Sequence, residues 1–272
     1  LMLMNAVGHN LAYVNGSLRG GDVYGYGYNR VPIKLEPGQN QFLFATGRGR
    51  LRVSLEPMAQ PVMFNKDDLT LPDLIDGKPE VQMGAIIVVN GNDSPLEGAT
   101  LKASLPNGRT QTTTVPTIPP MSIRKVGFRI PEGSGLTGDS AALKLDLTAG
   151  KITDTFTPNI RIRKPEQSRR ETFVSAIDGS VQYYAVVPPT KPQKNLALVL
   201  TVHGASVEAQ GQAEAYSAKD WCWVVAATNR RPYGFDWEDW GRMDAMEVLD
   251  HVQAKYDTNP RRTYLTGHSM GG

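Results

Sequence analysis

The sequence predicts a multi-domain chain: two β-sandwich modules followed by an α/β unit on a parallel sheet. Two observations carry this. Short alternating strands separated by Gly, Pro and Asn turns fill the chain up to roughly residue 165. Beyond that point the strands become continuously apolar and alternate with a helical pattern, as strands covered on both faces do. The change falls at KPEQSRRE, residues 164 to 171, a charged stretch without an apolar residue.

With 272 residues there is room for two or three compact domains. Hydrophobic residues make up 40% and charged residues 21%, enough apolar material for real cores. The net charge of +2 gives no bulk electrostatic case for nucleic acid or an anionic membrane. No apolar run approaches the roughly 20 residues of a bilayer span. A single cysteine, Cys222, rules out an intrachain disulfide. The chain opens LMLMNAVGHN, with neither a charged start nor a signal-type cleavage region, and reads as the middle of something larger. A β-rich front end without a cysteine pair fits export; a cytoplasmic setting fits nearly as well.

Residues 1–57 form the first β-rich module. LAYVNGSLRGGDVYGYGYNRVPIKL supplies short runs broken by Asn15-Gly16 and again by Gly20-Gly21. QFLFATG and LRVSLEP are two further strands. Tyr24, Tyr26 and Tyr28 alternate with glycine and share one face in an extended chain. The plainer expectation is that these rings cover a small core; the alternative is a stacking face for carbohydrate. Residues 58–75 read as a linker. Residues 76–165 form an Ig-like sandwich, with VQMGAIIVVNG, ATLKASL, SIRKVGFRI, AALKLDL and ITDTFTPNIRIR between NDSP, PNG, VPTIPP and PEGSG. This module gathers no reactive cluster and reads as structural. A second linker is expected at 166–170.

From residue 171, VQYYAVVPP, NLALVLTVHG and WCWVVAAT are strands. EDWGRMDAMEVLDHVQAKY places Met243, Met246, Leu249, Val252 and Tyr256 three or four apart, on one helical face. TNP stops that helix, and RTYLTG is the next strand.

The last strand runs into Gly267-His268-Ser269-Met270-Gly271, a G-x-S-x-G pattern. Such an elbow needs a strand leading in, a serine in strained dihedrals and small neighbours on both sides. Tyr264, Leu265 and Thr266 supply the strand, Gly267 and Gly271 flank Ser269 at the required spacing, and Gly272 adds one more small residue. Independently, the apolar strand ending at Val202 runs into His203-Gly204-Ala205. A backbone N–H at that corner and the N–H after the serine would hold the oxyanion of a tetrahedral intermediate.

VQYYAVVPP, LTVHGA and DTNPRRTYLTGHSMGG resemble the α/β-hydrolase superfamily, in the manner of prolyl oligopeptidase-like and esterase-type catalytic domains that follow β-rich domains. The resemblance covers about residues 171–272. It implies that Ser269 is the nucleophile, that Ala205 and Met270 supply oxyanion-hole N–H groups, and that the run from Asp257 is structural. In this fold the acid and histidine follow the serine in the chain. The expectation is therefore a truncated hydrolase domain, nearly inactive by itself. None of the four histidines is expected to replace the base: His268 adjoins the serine, His203 shapes its loop, His251 sits on a solvated helix face, and His9 lies in another module.

Trp221 and Trp223 flank an apolar strand and read as core. Tyr233, Phe235 and Trp237, with Arg230 and Arg231, belong to the loop after it, at the edge where open parallel sheets bind ligands. They line a substrate pocket or pin the loop to the following helix; the sequence leaves both open. Asp236, Glu238 and Asp239 have no histidine beside them, so no metal is expected, nor any cofactor. The sequence thus points to a serine hydrolase acting on a small ester or peptide. Its competitor is a carbohydrate- or protein-binding sandwich protein with a degenerate hydrolase domain. Reading the gene beyond Gly272 for an aspartate and then a histidine discriminates them.

Overall fold

The computed structural model describes residues 1–22, 27–47, 50–205, 207–230 and 236–272. It is mostly β, with two α-helices among the described residues.

The N-terminal module has β1 (Met2–Val7), β2 (His9–Val14), β3 (Ser17–Asp22), β4 (Arg30–Ile33), β5 (Phe42–Thr46) and β6 (Arg52–Pro57). They form two three-stranded antiparallel sheets, ordered β4-β1-β6 and β3-β2-β5. Inward residues of both, among them Met4, Ala6, Ala12, Val14 and Ile33, make one core. Asn15 and Gly16 take φ of 48° and 79°, the two left-handed positions of a tight hairpin joining β2 to β3. Gly20 and Gly21 do not break the chain as expected; both lie within β3. A Cβ on Gly21 would stand 2.1 Å from the Asn10 carbonyl oxygen, so the glycine is needed for close strand approach rather than for a turn. Tyr24 and Tyr26 lie outside the described residues; Tyr28 is half-buried.

The middle sandwich has β7 (Val62–Thr70), β8 (Leu74–Ile75), β9 (Gln82–Asn90), β10 (Thr100–Ser104), β11 (Thr110–Thr114), β12 (Ser122–Ile130), β13 (Ser140–Ala142), β14 (Lys144–Ala149), β15 (Ile152–Phe156) and β16 (Asn159–Arg163). Sheets ordered β12-β9-β7 and β11-β10-β14-β15 face each other over Phe64, Ile86, Leu101, Phe128, Leu145 and their neighbours. The stretch 58–75 is therefore not a bare linker: β7 pairs with β9 along the sheet, and β8 pairs with β16. Val62 and Phe64, alternating inward, were its strand signal.

The C-terminal unit has β17 (Arg169–Val174), β18 (Val181–Val187), β19 (Ala197–Val202), α1 (Ala209–Glu214), β20 (Cys222–Ala226), α2 (Asp239–Tyr256) and β21 (Thr263–Gly267). One five-stranded sheet runs β17-β18-β20-β19-β21. Only β20, β19 and β21 are mutually parallel; β17 and β18 are antiparallel, so the sheet is mixed rather than parallel. The expected linker at 166–170 ends inside β17, where Arg169 is 3% exposed. Apolar clusters cover both faces, one with α2 and one with α1. No helix among the described residues is long and apolar enough to cross a membrane.

Helix α2 forms where the periodicity places it, with Val252 buried and Leu249 and Tyr256 packed on the core as expected, but its first turns present other residues inward. Gly241, Asp244, Ala245, Val248 and Val252 are its buried residues, while Met243 and Met246 are exposed. Gly241 decides this. A Cβ there would stand 2.0 Å from Asn229 Oδ1, so the helix start is pressed on the loop after β20 through its smallest side chain. Trp221, expected in the core, is 43% exposed beside Tyr264, whereas Trp223 stacks on Tyr256 at 4.0 Å.

Candidate active site

The carboxyl ends of β19 and β21 lie side by side, with Val202 opposite Gly267 and the His268 N–H donating to the Val202 carbonyl at 3.2 Å. Immediately beyond, Ser269 takes φ of 55°. A non-glycine residue is rare in that region and costs on the order of 1–3 kcal/mol, so the surrounding turn must hold it. It does so with two short bonds: the Gly271 N–H donates to the His268 carbonyl and the Gly272 N–H to the Ser269 carbonyl, both at 3.0 Å. Both glycines of the pattern are sterically required. A Cβ on Gly267 would meet the Gly271 carbonyl oxygen at 1.8 Å, and one on Gly271 the Val202 carbonyl oxygen at 2.3 Å.

Ser269 is exposed and packs on the His203-Gly204 corner. A Cβ on Gly204 would lie 3.2 Å from the Ser269 Cβ and 3.4 Å from the His268 Nδ1. Ala205 follows that contact and is exposed; Met270 is half-buried, its Sδ accepting the Asp236 N–H at 3.1 Å. The structure thus brings the serine loop and the β19 corner together, the two pieces that the sequence assigns to one site.

His203 is fully buried in that corner. Its Nδ1 lies 2.8 Å from the Gly204 carbonyl oxygen and its Nε2 3.1 Å from that of Thr228. Trp237 closes over it: its Nε1–H donates to the His203 carbonyl at 3.0 Å, and the rings meet edge-on at 5.0 Å. For Trp237 the loop-pinning alternative therefore fits better than a pocket wall. Tyr233 and Phe235 lie outside the described residues. His251 is not on a solvated face; it stacks on Phe173 at 5.1 Å, and burial, with Lys255 nearby, holds its pKa below the usual value. His9 is buried against Phe44 in the N-terminal module.

Sequence reasoning missed the polar scaffold behind the corner. Asp244, on α2, is fully buried and accepts the N–H groups of Thr228 at 3.1 Å and Asn229 at 2.8 Å. Burial pushes its carboxyl up to about 6, against the opposing pull of Arg230 and those N–H donors. Arg230 donates to Asp178, Ser175 and Glu247 at 2.7, 2.6 and 2.9 Å, tying the loop after β20 to the β17–β18 turn and to α2. A second buried group joins β17 to the end of α2. There Glu171 takes bonds from Arg169, Tyr184, Tyr256 and Lys255. Burial pushes the Glu171 carboxyl up, but Lys255 and Arg169 override it and hold the group at about 2. Arg169, Glu171 and Phe173 are buried in alternation, so a strand begins inside the charged stretch although its residue types do not signal one. No cluster of three or more His, Cys, Asp or Glu suited to a metal occurs among the described residues.

No family model matches the chain, and no curated protein does. Solved structures do. A thermostable esterase aligns over 78% of this chain and 72% of its own, at 13% identity and a TM-score of 0.31. The enterobactin esterase FES from Shigella flexneri aligns over 72% of this chain and 69% of its own, at 9% identity and a TM-score of 0.29. A dipeptidyl aminopeptidase IV-like protein from Bacteroides ovatus aligns over 97% of this chain and 36% of its own, at 13% identity and a TM-score of 0.35. At these scores the likenesses are loose and carry no assignment of residues or activity.

Proposed function

We propose that the chain carries the nucleophile of a serine hydrolase, with Ser269 attacking an ester or peptide carbonyl to form an acyl-enzyme. In this reading residues 171–272 are the N-terminal part of an α/β-hydrolase domain that follows two β modules. One observation supports it above the others: a serine in left-handed conformation, flanked by glycines that tolerate no Cβ, at the carboxyl end of a parallel strand and against the corner of its neighbour. That is the arrangement a nucleophile elbow requires. A chance glycine-rich turn has no reason to crowd both glycines against backbone oxygens.

The chemistry follows from the placement. Attack by the Ser269 hydroxyl puts negative charge on the substrate oxygen, and the N–H groups of Ala205 and Met270 are the proposed donors for it. Attack also needs a base. His203 faces carbonyl oxygens with both ring nitrogens, His251 stacks on Phe173, and His9 is buried in the first module. His268 adjoins Ser269 on the same tight turn, where neighbouring side chains point in different directions. The base is expected from outside these four histidines, and the 272 residues alone are expected to turn over slowly. An oxyanion hole with bound substrate retains about 10³–10⁴-fold acceleration over water when triad groups are removed. Slow but selective modification is therefore the expected behaviour. Treating the protein with a fluorophosphonate and mapping the adduct tests this: Ser269 should be modified ahead of all other exposed serines. Labelling spread evenly over surface serines would refute the reading.

A further inference from the structure

A cavity of about 480 Å³ opens between the middle sandwich and the C-terminal sheet, a size typical of small-molecule sites. Leu69 and Lys125 come from the sandwich, Arg170 and Tyr183 from β17 and β18, and Thr228 and Trp240 from the segments after β20. Its position relates it to the serine. Thr228 follows the carboxyl end of β20 by two residues and Ser269 follows that of β21 by two, with β19 between them. Two strand spacings, about 10 Å, separate them along one sheet edge.

Four of the six charged side chains in the cavity are paired, and Glu208 takes a hydroxyl instead of a cation. Lys125 closes on Asp68 at 2.6 Å, and Arg230 on Asp178 at 2.7 Å. Glu208 lies 3.4 Å from the Tyr183 hydroxyl. Arg170 differs. Its guanidinium carbon lies 5.5 Å from the centre of the Tyr183 ring, and its Nε is buried without a hydrogen-bond partner. Among the described residues no carboxylate lies within ion-pair distance of it. The nearby Asp73 takes the Arg170 main-chain N–H and pairs its oxygens with Arg161. A cation with no carboxylate partner, braced on an aromatic face and lining a cavity, can receive an anion with two oxygens in one plane through its outer N–H groups.

We infer that this cavity recognises a carboxylate borne by the substrate, held by Arg170 on β17, four strand spacings or about 19 Å along the sheet from the strand that carries Ser269. The inference deepens the hydrolase reading and rests on it for the word substrate, though not for the binding itself. The ligand class is an ester or peptide with a free carboxylate on a stem that packs against Leu69, Tyr183 and Trp240. Arg170 is then a specificity residue, remote from the reacting atoms.

Calorimetric titration of the 272-residue protein with 4-phenylbutyrate and with the neutral 4-phenylbutyramide tests it without turnover. The acid should bind at least tenfold more tightly than the amide. Arg170→Met and Arg170→Gln should erase that preference, and Arg170→Lys should restore part of it, with unchanged circular dichroism. Equal binding of acid and amide, no binding of the acid, or unaltered preference in both neutral variants would overturn the inference. Ser269→Ala should bind both probes like the parent protein. Failed fluorophosphonate labelling with intact acid preference would sink the hydrolase reading alone; the reverse pattern would sink the pocket alone.

Discussion

Gly267 and Gly271 approach so closely that a methyl group on the first would stand 1.8 Å from the carbonyl oxygen of the second. The distance leaves no room for rotamer relief, because the obstacle is backbone. Alanine at position 267 must therefore push the turn off the end of β21 and with it move Ser269. Overpacking of this kind costs about 1–3 kcal/mol. Gly267→Ala should lower the unfolding midpoint by that amount and abolish fluorophosphonate labelling of Ser269. Gly271→Ala, against Val202, should do the same. Retained labelling in either variant would show that the turn adapts and that the glycines are not steric requirements.

The strain at Ser269 gives a prediction with opposite sign. At φ of 55° serine and alanine carry the same left-handed penalty, and glycine does not. Ser269→Gly should be more stable than Ser269→Ala by about 1 kcal/mol in urea denaturation, even though glycine also loosens the unfolded chain. Equal stabilities would mean that the bend is not held under tension.

Those two results concern the part of the molecule most legible in the sequence. A glycine-flanked bend is a local object: five consecutive residues specify it, and Val202, Gly204 and Gly267 are brought together by strands with long apolar runs. Strand direction is not local. Nothing in VQYYAVV distinguishes an antiparallel strand from a parallel one, although the Asp178-Gly179 turn before it, with Gly179 at φ of 72°, marks a hairpin. Helix α2 misled for another reason. Met243 and Met246 outweigh Gly241 and Ala245 in any count of apolar residues, yet the smaller pair faces inward because the helix start must pack on Asn229. Buried Asp244 and Arg230 were invisible for the same reason, since charged residues beside a loop read as solvated until their partners, far apart in the chain, are placed.

Trp237 provides a sharp check on how the corner is held. Its indole N–H is the donor to the His203 carbonyl, while its ring packs with the α2 face cluster. Trp237→Phe keeps most of the packing and removes the bond, leaving the carbonyl without that donor. A loss of about 1–2 kcal/mol is expected, together with slower labelling of Ser269. Unchanged stability with unchanged labelling would show that the indole is not what sets the corner.

The two buried carboxylates should make stability respond to pH in opposite directions. Glu171, held at about 2 in the folded chain against an ordinary 4.5, stabilises the fold above the ordinary value. That contribution, about 3 kcal/mol, is lost as pH falls from about 4.5 through 2. Asp244, pushed up to about 6 against an ordinary 3.8, behaves the other way. Between those values the folded chain binds the proton and the unfolded chain does not. Stability therefore falls by about 3 kcal/mol as pH rises from about 4 to 6. Asp244→Asn keeps an oxygen for the Thr228 and Asn229 N–H groups and removes the titration. Urea midpoints at intervals from pH 4 to 7.5 should show the parent losing stability relative to Asp244→Asn across that window, and no further beyond it. A difference that stays flat with pH would mean that the Arg230 guanidinium, 3.9 Å away, keeps Asp244 ionised throughout. The loop behind His203 would then hang on an ion pair instead of a buried acid.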